Sequence, residues 1–140
     1  EEAEKSGIRF LWFNEPAGYA RLGLGDYDGA LKHFGALEDA GKALVSDVHF
    51  RTSQEGIATV ALYQGKLGVA RQQIQDALET SKSNYDRATY YISLGDMDAL
   101  HNETSDAIQE AEKALRLSDS PDIWISAARI FAMTNEFERA

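Results

Sequence analysis

Three histidines, His33, His49 and His101, are the side chains of this sequence best suited to holding a metal or moving a proton. A neutral imidazole is a common zinc ligand, but a site needs three or four donors that the fold can bring together. The three fall in separate segments with no ligand spacing around them, and no cysteine is present to join them. Asp96-Met97-Asp98, followed by Asn102 and Glu103, resembles the opening of a calcium loop. It lacks the glycine of the sharp turn and a bidentate glutamate at the required distance, so a solvated helix surface explains it better. Asn102-Glu103-Thr104 is a formal glycosylation sequon, meaningful only in a eukaryotic secretory setting. Carboxylates are plentiful, but none stands in a context that would strip its water, as a general acid requires. Glycine-rich phosphate loops and nucleophile motifs are absent from the sequence. No catalytic residue, no metal and no cofactor is expected, and the chain is not read as an enzyme.

The bulk composition narrows the partners. The chain has 140 residues, with 23 acidic and 14 basic side chains, for a net charge of −9. Such a chain repels phosphate backbones, which argues against nucleic acid. Hydrophobic residues make up 44%, too many for a disordered acidic tail. No apolar run approaches the roughly 20 residues of a membrane span. A chain without cysteine is compatible with cytoplasm or periplasm, and the compartment stays open.

The elements that would carry any site are helices. Alanine occurs 20 times, valine 4 times and proline twice. Alanine is the best helix former, and β-branched residues favour strands. Apolar residues recur at helical spacing in Tyr27, Ala30, Leu31, Phe34, Leu37, again in Leu67, Ala70, Ile74, Ala77, Leu78, and again in Ala107, Ile108, Ala111, Ala114, Leu115. Breaks as short as Leu24-Gly25-Asp26 and Gln64-Gly65-Lys66 force neighbouring helices into antiparallel hairpins.

These hairpins repeat. Tyr91-Ile92-Ser93-Leu94-Gly95, Asn102-Glu103-Thr104, Ala107-Ile108, Ala114-Leu115 and Pro121 follow a helix–turn–helix pattern of about 34 residues. A further unit starts at Trp124 and runs through Ala127-Ala128, Phe131 and Asn135-Glu136-Phe137 to Ala140. Gly18, Gly25-Asp26-Tyr27 and Ala30 mark an earlier unit, and Ala58, Gly65-Lys66-Leu67 and Ala70 another. Over nearly all of its length the chain resembles the tetratricopeptide repeat family. Gly18, Ala58, Gly95 and Ala128 are expected where the first helix of each hairpin crosses the second. Ala30, Ala70, Ala107 and Ala140 are expected at the matching points on the second helix. Gly25 and Gly65 occupy the inter-helix turn, where positive φ is needed, and Asn102 and Asn135 take that place later. Tyr27, Leu67, Thr104 and Phe137 follow the turns and are expected mostly to pack back into the hairpin.

Turn-to-turn spacings of 40 (Gly25 to Gly65), 37 (Gly65 to Asn102) and 33 (Asn102 to Asn135) predict longer first helices in the second and third units. Ser46 or Asp47 is the expected N-cap of the second unit and Ser83 that of the third. Pro16 predicts a first helix that begins near Asn14 or is kinked, with Ile8–Phe13 either extending it or left from a preceding helix, and an extended or kinked helix is favoured. The expected fold is all-α: an α-solenoid of about 3.5 to 4 repeats, at residues 8–41, 46–81, 84–118 and a truncated 121–140, forming one domain. The unfinished fourth unit predicts a chain that continues, or an exposed end that pairs with a second copy.

The resemblance implies a right-handed superhelix with first helices lining a concave face, and protein–protein recognition of a peptide or helix in that groove. The inward-facing candidates it implies are Glu15, Tyr19 and Leu22, then Thr52, Glu55, Thr59, Leu62 and Tyr63, then Thr89, Ile92 and Asp96, and finally Ile125 and Arg129. Leu22, Leu62, Ile92 and Ile125 can equally be inter-repeat core. The partner-binding set is Tyr19, Glu55, Thr59, Tyr63, Thr89, Asp96 and Arg129. One subclass of the family grips a C-terminal carboxylate through Lys, Arg and Asn on first helices. Here Arg129 is the one clear cation among acids, which argues against such a clamp and favours a neutral or basic partner segment. The alternative readings are a sensory or regulatory domain of a larger bacterial signalling or transcription protein, or a self-association module.

Overall fold

A computed structural model describes residues 7–134, with side chains from Trp12 onward. Seven helices follow one another: α1 (Gly7–Gly23), α2 (Tyr27–Leu44), α3 (Asp47–Tyr63), α4 (Leu67–Thr80), α5 (Asn84–Leu100), α6 (Thr104–Leu117) and α7 (Pro121–Met133). No strand occurs among the described residues. The all-α hairpin fold read from the sequence is the one observed. The chain forms two compact units, residues 1–73 and 74–140, divided within α4.

Local chemistry sets the ends of the helices. Gly25 and Gly65 adopt φ of +74° and +73°, and Asn102 adopts +62°. All three lie in the left-handed region that only glycine and asparagine enter cheaply. Asp26 caps α2 by accepting a hydrogen bond from the Gly29 amide at 2.9 Å. Ser83 caps α5 by accepting from the Asp86 amide at 3.3 Å. Ser46 rather than Asp47 is the N-cap of α3, and its hydroxyl is bonded to His49 Nδ1 at 2.7 Å instead of to a backbone amide. Pro121 opens α7, where its missing N–H costs nothing. Pro16 lies inside α1, which runs unbroken as an extended first helix.

Helix lengths account for the uneven repeat spacing. α3 and α5 each have 17 residues against 13 in α7, one turn more, as expected for the second and third units. The remaining excess sits in α2, which has 18 residues where α4 and α6 have 14. α2 ends on Val45, a β-branched residue at φ +51° and 88% exposed. The Ser46 amide closes this end on the Gly41 carbonyl at 2.9 Å, so a capping motif made for glycine is built on valine.

In the first unit α1 packs on α2, α2 on α3, and α1 also touches α3. The core is Leu22, Ala30, Phe34, Leu37 and Val60, with Tyr27, Leu31 and Ile57 against it. Phe34 is its centre and is fully buried. A Cβ placed on Gly18 of α1 would meet the Phe34 ring at 2.8 Å, and one on Gly56 of α3 would meet it at 2.3 Å. Two glycines from different repeats therefore make the slot for one ring. Ser53 of α3, also fully buried, donates to the Phe34 carbonyl at 2.8 Å and ties α3 to α2. Gly41 of α2 brings the backbones closer still, because a Cβ there would lie 2.7 Å from the Phe50 amide nitrogen.

In the second unit α5 packs on α6, and α7 lies against both. The core joins Ala88, Ile92, Ala107, Ala111, Ala114, Ile123, Ala127, Ile130 and Phe131. Gly95 sits at a close crossing, with Ile130 Cδ1 at 3.0 Å and the Ala107 carbonyl at 3.2 Å from a built Cβ. Ala58, Ala30, Ala70 and Ala107 are all buried. In α7 the fully buried alanine is Ala127, while Ala128 is partly exposed. Ala127 packs back onto the preceding hairpin. The segment expected to cross Ala128, with Asn135, Phe137 and Ala140, lies outside the described residues. Thr104 is exposed and does not pack back as Tyr27 and Leu67 partly do, since its short polar side chain gains little from burial.

Candidate functional site

The recognition residues expected on the first helices divide between the two units. In the first, α1 presents Glu15 and Tyr19, and α3 presents Glu55, Thr59 and Tyr63. Tyr19 leans edge-on against Phe34, with ring centroids 5.1 Å apart and planes at 72°. The buried ring thus supports the exposed one. Burial raises the Tyr19 phenol above its ordinary pKa, and the negative charges of Glu55 and Glu15 push the same way. A hydrogen bond between the Tyr19 and Thr59 hydroxyls opposes them. Three of the expected side chains, Glu55, Glu15 and Thr59, therefore lie close enough to act on the fourth, Tyr19. Thr59 also donates to the Glu55 carbonyl at 2.7 Å.

Tyr63 stands one helical turn beyond Thr59 and is 64% exposed. Its carbonyl accepts a long hydrogen bond from the Tyr27 hydroxyl at 3.4 Å, which leaves its own ring free of that contact. Trp12 and Phe13 of α1 are exposed to a similar degree. Trp12 meets the His49 ring at 5.4 Å.

In the second unit Asp96 of α5 pairs with Arg129 of α7, Nη2 to Oδ2, at 2.6 Å. The cation singled out in the sequence is thus engaged by one of the acids singled out with it. Asp96 Oδ1 is shielded and has no hydrogen-bond partner. Burial raises the Asp96 pKa, and the attraction and hydrogen bond of Arg129 only partly offset that. Thr89 turns its hydroxyl onto the Tyr85 carbonyl at 3.0 Å, so it serves its own helix. Of the aliphatic candidates, Leu22 and Ile92 are core, Leu62 is partly buried and Ile125 is 72% exposed.

The sign of the Asp96 shift has a measurable consequence. The folded chain binds its proton more tightly than the unfolded chain does. That contribution is therefore present below the ordinary aspartate pKa and is lost as pH rises through the raised value. Asp96→Asn should be at least as stable as the parent at pH 7. Any advantage should shrink to nothing toward pH 4, when urea melts are compared across that range. The Arg129 bond it gives up is partly exposed and worth at most about 1 kcal/mol. A loss of about 3 kcal/mol or more at neutral pH, the size seen on breaking a buried charged pair, would instead mark the pair as a net stabiliser.

The histidines all serve the scaffold. His33 Nδ1 bonds Asn14 Oδ1 at 2.8 Å, joining α2 to α1. His49 bonds Ser46, and His101 Nδ1 lies 2.7 Å from the Met97 carbonyl. No group of three potential metal ligands occurs among the described residues. Among the same residues, no helix is long and apolar enough to cross a membrane.

Several contributors escape a reading of spacing alone. Gly56 supports the recognition face through Phe34, and the Asp96–Arg129 pair depends on a contact between residues 33 positions apart. One available signal was that separation of 33, close to a repeat length, which puts both residues at equivalent first-helix positions.

Residues 56–122 match the family model of the tetratricopeptide repeat. No curated protein matches the chain. With its helix pairs, small-residue crossings and left-handed turns, the chain is similar to the tetratricopeptide repeat proteins, and the match supports that family. Repeats of this kind suggest a protein–protein interaction module, and the family is in general a non-catalytic scaffold.

Proposed function

We propose that the first-helix faces dock an extended or helical segment of a partner protein, with neutral or basic character. The observation that carries this reading is the convergence of Glu15, Glu55 and Thr59 on Tyr19, beside the exposed ring of Tyr63. Two carboxylates near one phenol give this face an acidic character, to which a lysine, arginine or amide of a partner is complementary. Tyr19 and Tyr63 offer rigid rings with polar tips, the kind of side chain that anchors interfaces at low entropic cost. Thr89, Asp96 and Arg129 are assigned to the same role in the second unit. The reading takes residues 8–41, 46–81, 84–118 and the start of a further unit at 121 as successive repeats of one domain. A regulatory or self-association role would use the same face and differ only in what supplies the segment.

A display library of short peptides tests this. Selection on the full chain should enrich neutral and Lys- or Arg-bearing sequences over acidic ones. The double variant Tyr63→Ala with Glu55→Gln should bind the winners at least about tenfold more weakly, with an unchanged melting temperature. Enrichment of acidic peptides, or binding untouched by the double change, would refute the assignment. Equal loss of folding in both single variants would make the two residues core.

A further inference from the structure

The chain is strongly acidic, yet three of its 14 basic side chains gather around one cavity of the second unit. Arg87 and Tyr91 of α5 and Lys113, Arg116 and Leu117 of α6 line a space of about 190 Å³. No carboxylate is among the lining residues. Lys113 sits over the Tyr91 ring, 5.3 Å from its centroid. Its ammonium also donates to Glu110 Oε1 at 2.9 Å, so one of the three positive charges is already balanced. Arg87 Nε is shielded from water and has no acceptor. A buried N–H of a cation without an acceptor is costly, and a ligand oxygen would satisfy it.

We propose that this cavity is a binding site for an organic phosphate monoester. The charge that remains after the Lys113–Glu110 pair is about two positive. A phosphate monoester carries −1.5 to −2 near neutral pH, whereas a carboxylate carries only −1. Two guanidinium groups suit a phosphoryl group because their planar N–H pairs match its oxygens. The space opens to solvent, so a group larger than a bare phosphate can reach it. The face of Tyr91 and the side chain of Leu117 form an apolar wall for the group that carries the phosphate. Two sources share this chemistry: a phosphorylated side chain on a partner protein, and a free small-molecule phosphate. The site is separate from the acidic first-helix face proposed above, and neither proposal needs the other.

The test follows backbone amide signals of the full chain by two-dimensional NMR at fixed ionic strength. Phenyl phosphate, benzoate and a short phosphoserine peptide are titrated separately. Phenyl phosphate or the phosphopeptide should give saturable shifts grouped at residues 87–91 and 113–117. Arg116→Gln, at an exposed position, should weaken that binding about tenfold or more and leave the melting temperature unchanged. Arg87→Gln should do the same, with the unliganded spectrum confirming that the variant is folded. Tighter binding of the peptide assigns the site to a phosphorylated partner, and tighter binding of phenyl phosphate assigns it to a small molecule. Benzoate binding as tightly as phenyl phosphate would overturn the dianion assignment. The absence of saturation by either phosphate up to about 10 mM, a negligible free energy for a built site, would overturn the site itself.

Discussion

Phe34→Ala is expected to destabilise the first unit by about 3–5 kcal/mol, the range for removing a buried phenylalanine from a packed core. The cost should fall toward the upper end. Cavities are cheapest where neighbours collapse into them, and here the walls are the backbones of Gly18 and Gly56, which have no side chains to swing inward. The ring also props Tyr19 from behind, and Ser53 is bonded to the Phe34 carbonyl. Thermal and urea melts followed by far-UV circular dichroism would measure the loss. A change of under about 1 kcal/mol would mean that the ring does not fill the slot described here.

Gly56→Ala is the complementary lesion. One methyl group there would lie 2.3 Å from the Phe34 ring, far inside contact distance. Overpacking of this kind costs about 1–3 kcal/mol, more than the gain of about 1 kcal/mol that alanine brings to a helix interior. Gly35→Ala is the control. It lies in α2 with nothing within 4 Å of a built Cβ, so there the helix gain should appear alone. Because Gly56 and Phe34 share one space, a Gly56→Ala, Phe34→Leu double variant should be less unstable than the sum of its parts. Strict additivity would refute the shared slot.

Much of this architecture was legible in the sequence because the repeat imposes it at a fixed period. Gly25, Gly65 and Asn102 could be placed in left-handed turns from their residue type and position alone, and each is found there. Gly18, Ala58 and Gly95 could be placed at crossings because a hairpin demands something small once per unit. Gly41 and Gly56 carried no such mark. They serve contacts between one hairpin and the next, where no repeating position announces them. Val45 was hidden for the opposite reason. Its side chain argues against a left-handed turn, and the longer α2 places it in one. The recognition face was legible as a set of candidates. The pairing of Asp96 with Arg129 was signalled only by their separation of 33, and the basic cavity beside Tyr91 depends on which side chains meet across helices, on which spacing is silent.

Each described triplet of helices draws its support from close neighbours in the chain: α1 from α2 and α3, α7 from α5 and α6. Damage in such a construction stays near where it is inflicted. A lesion at Phe34 strips the shoring from three consecutive helices, while those around Ile130 keep the contacts they already have. Under heat, a Phe34→Ala chain should therefore lose amide protection first in α1, α2 and α3, and later around Ile130.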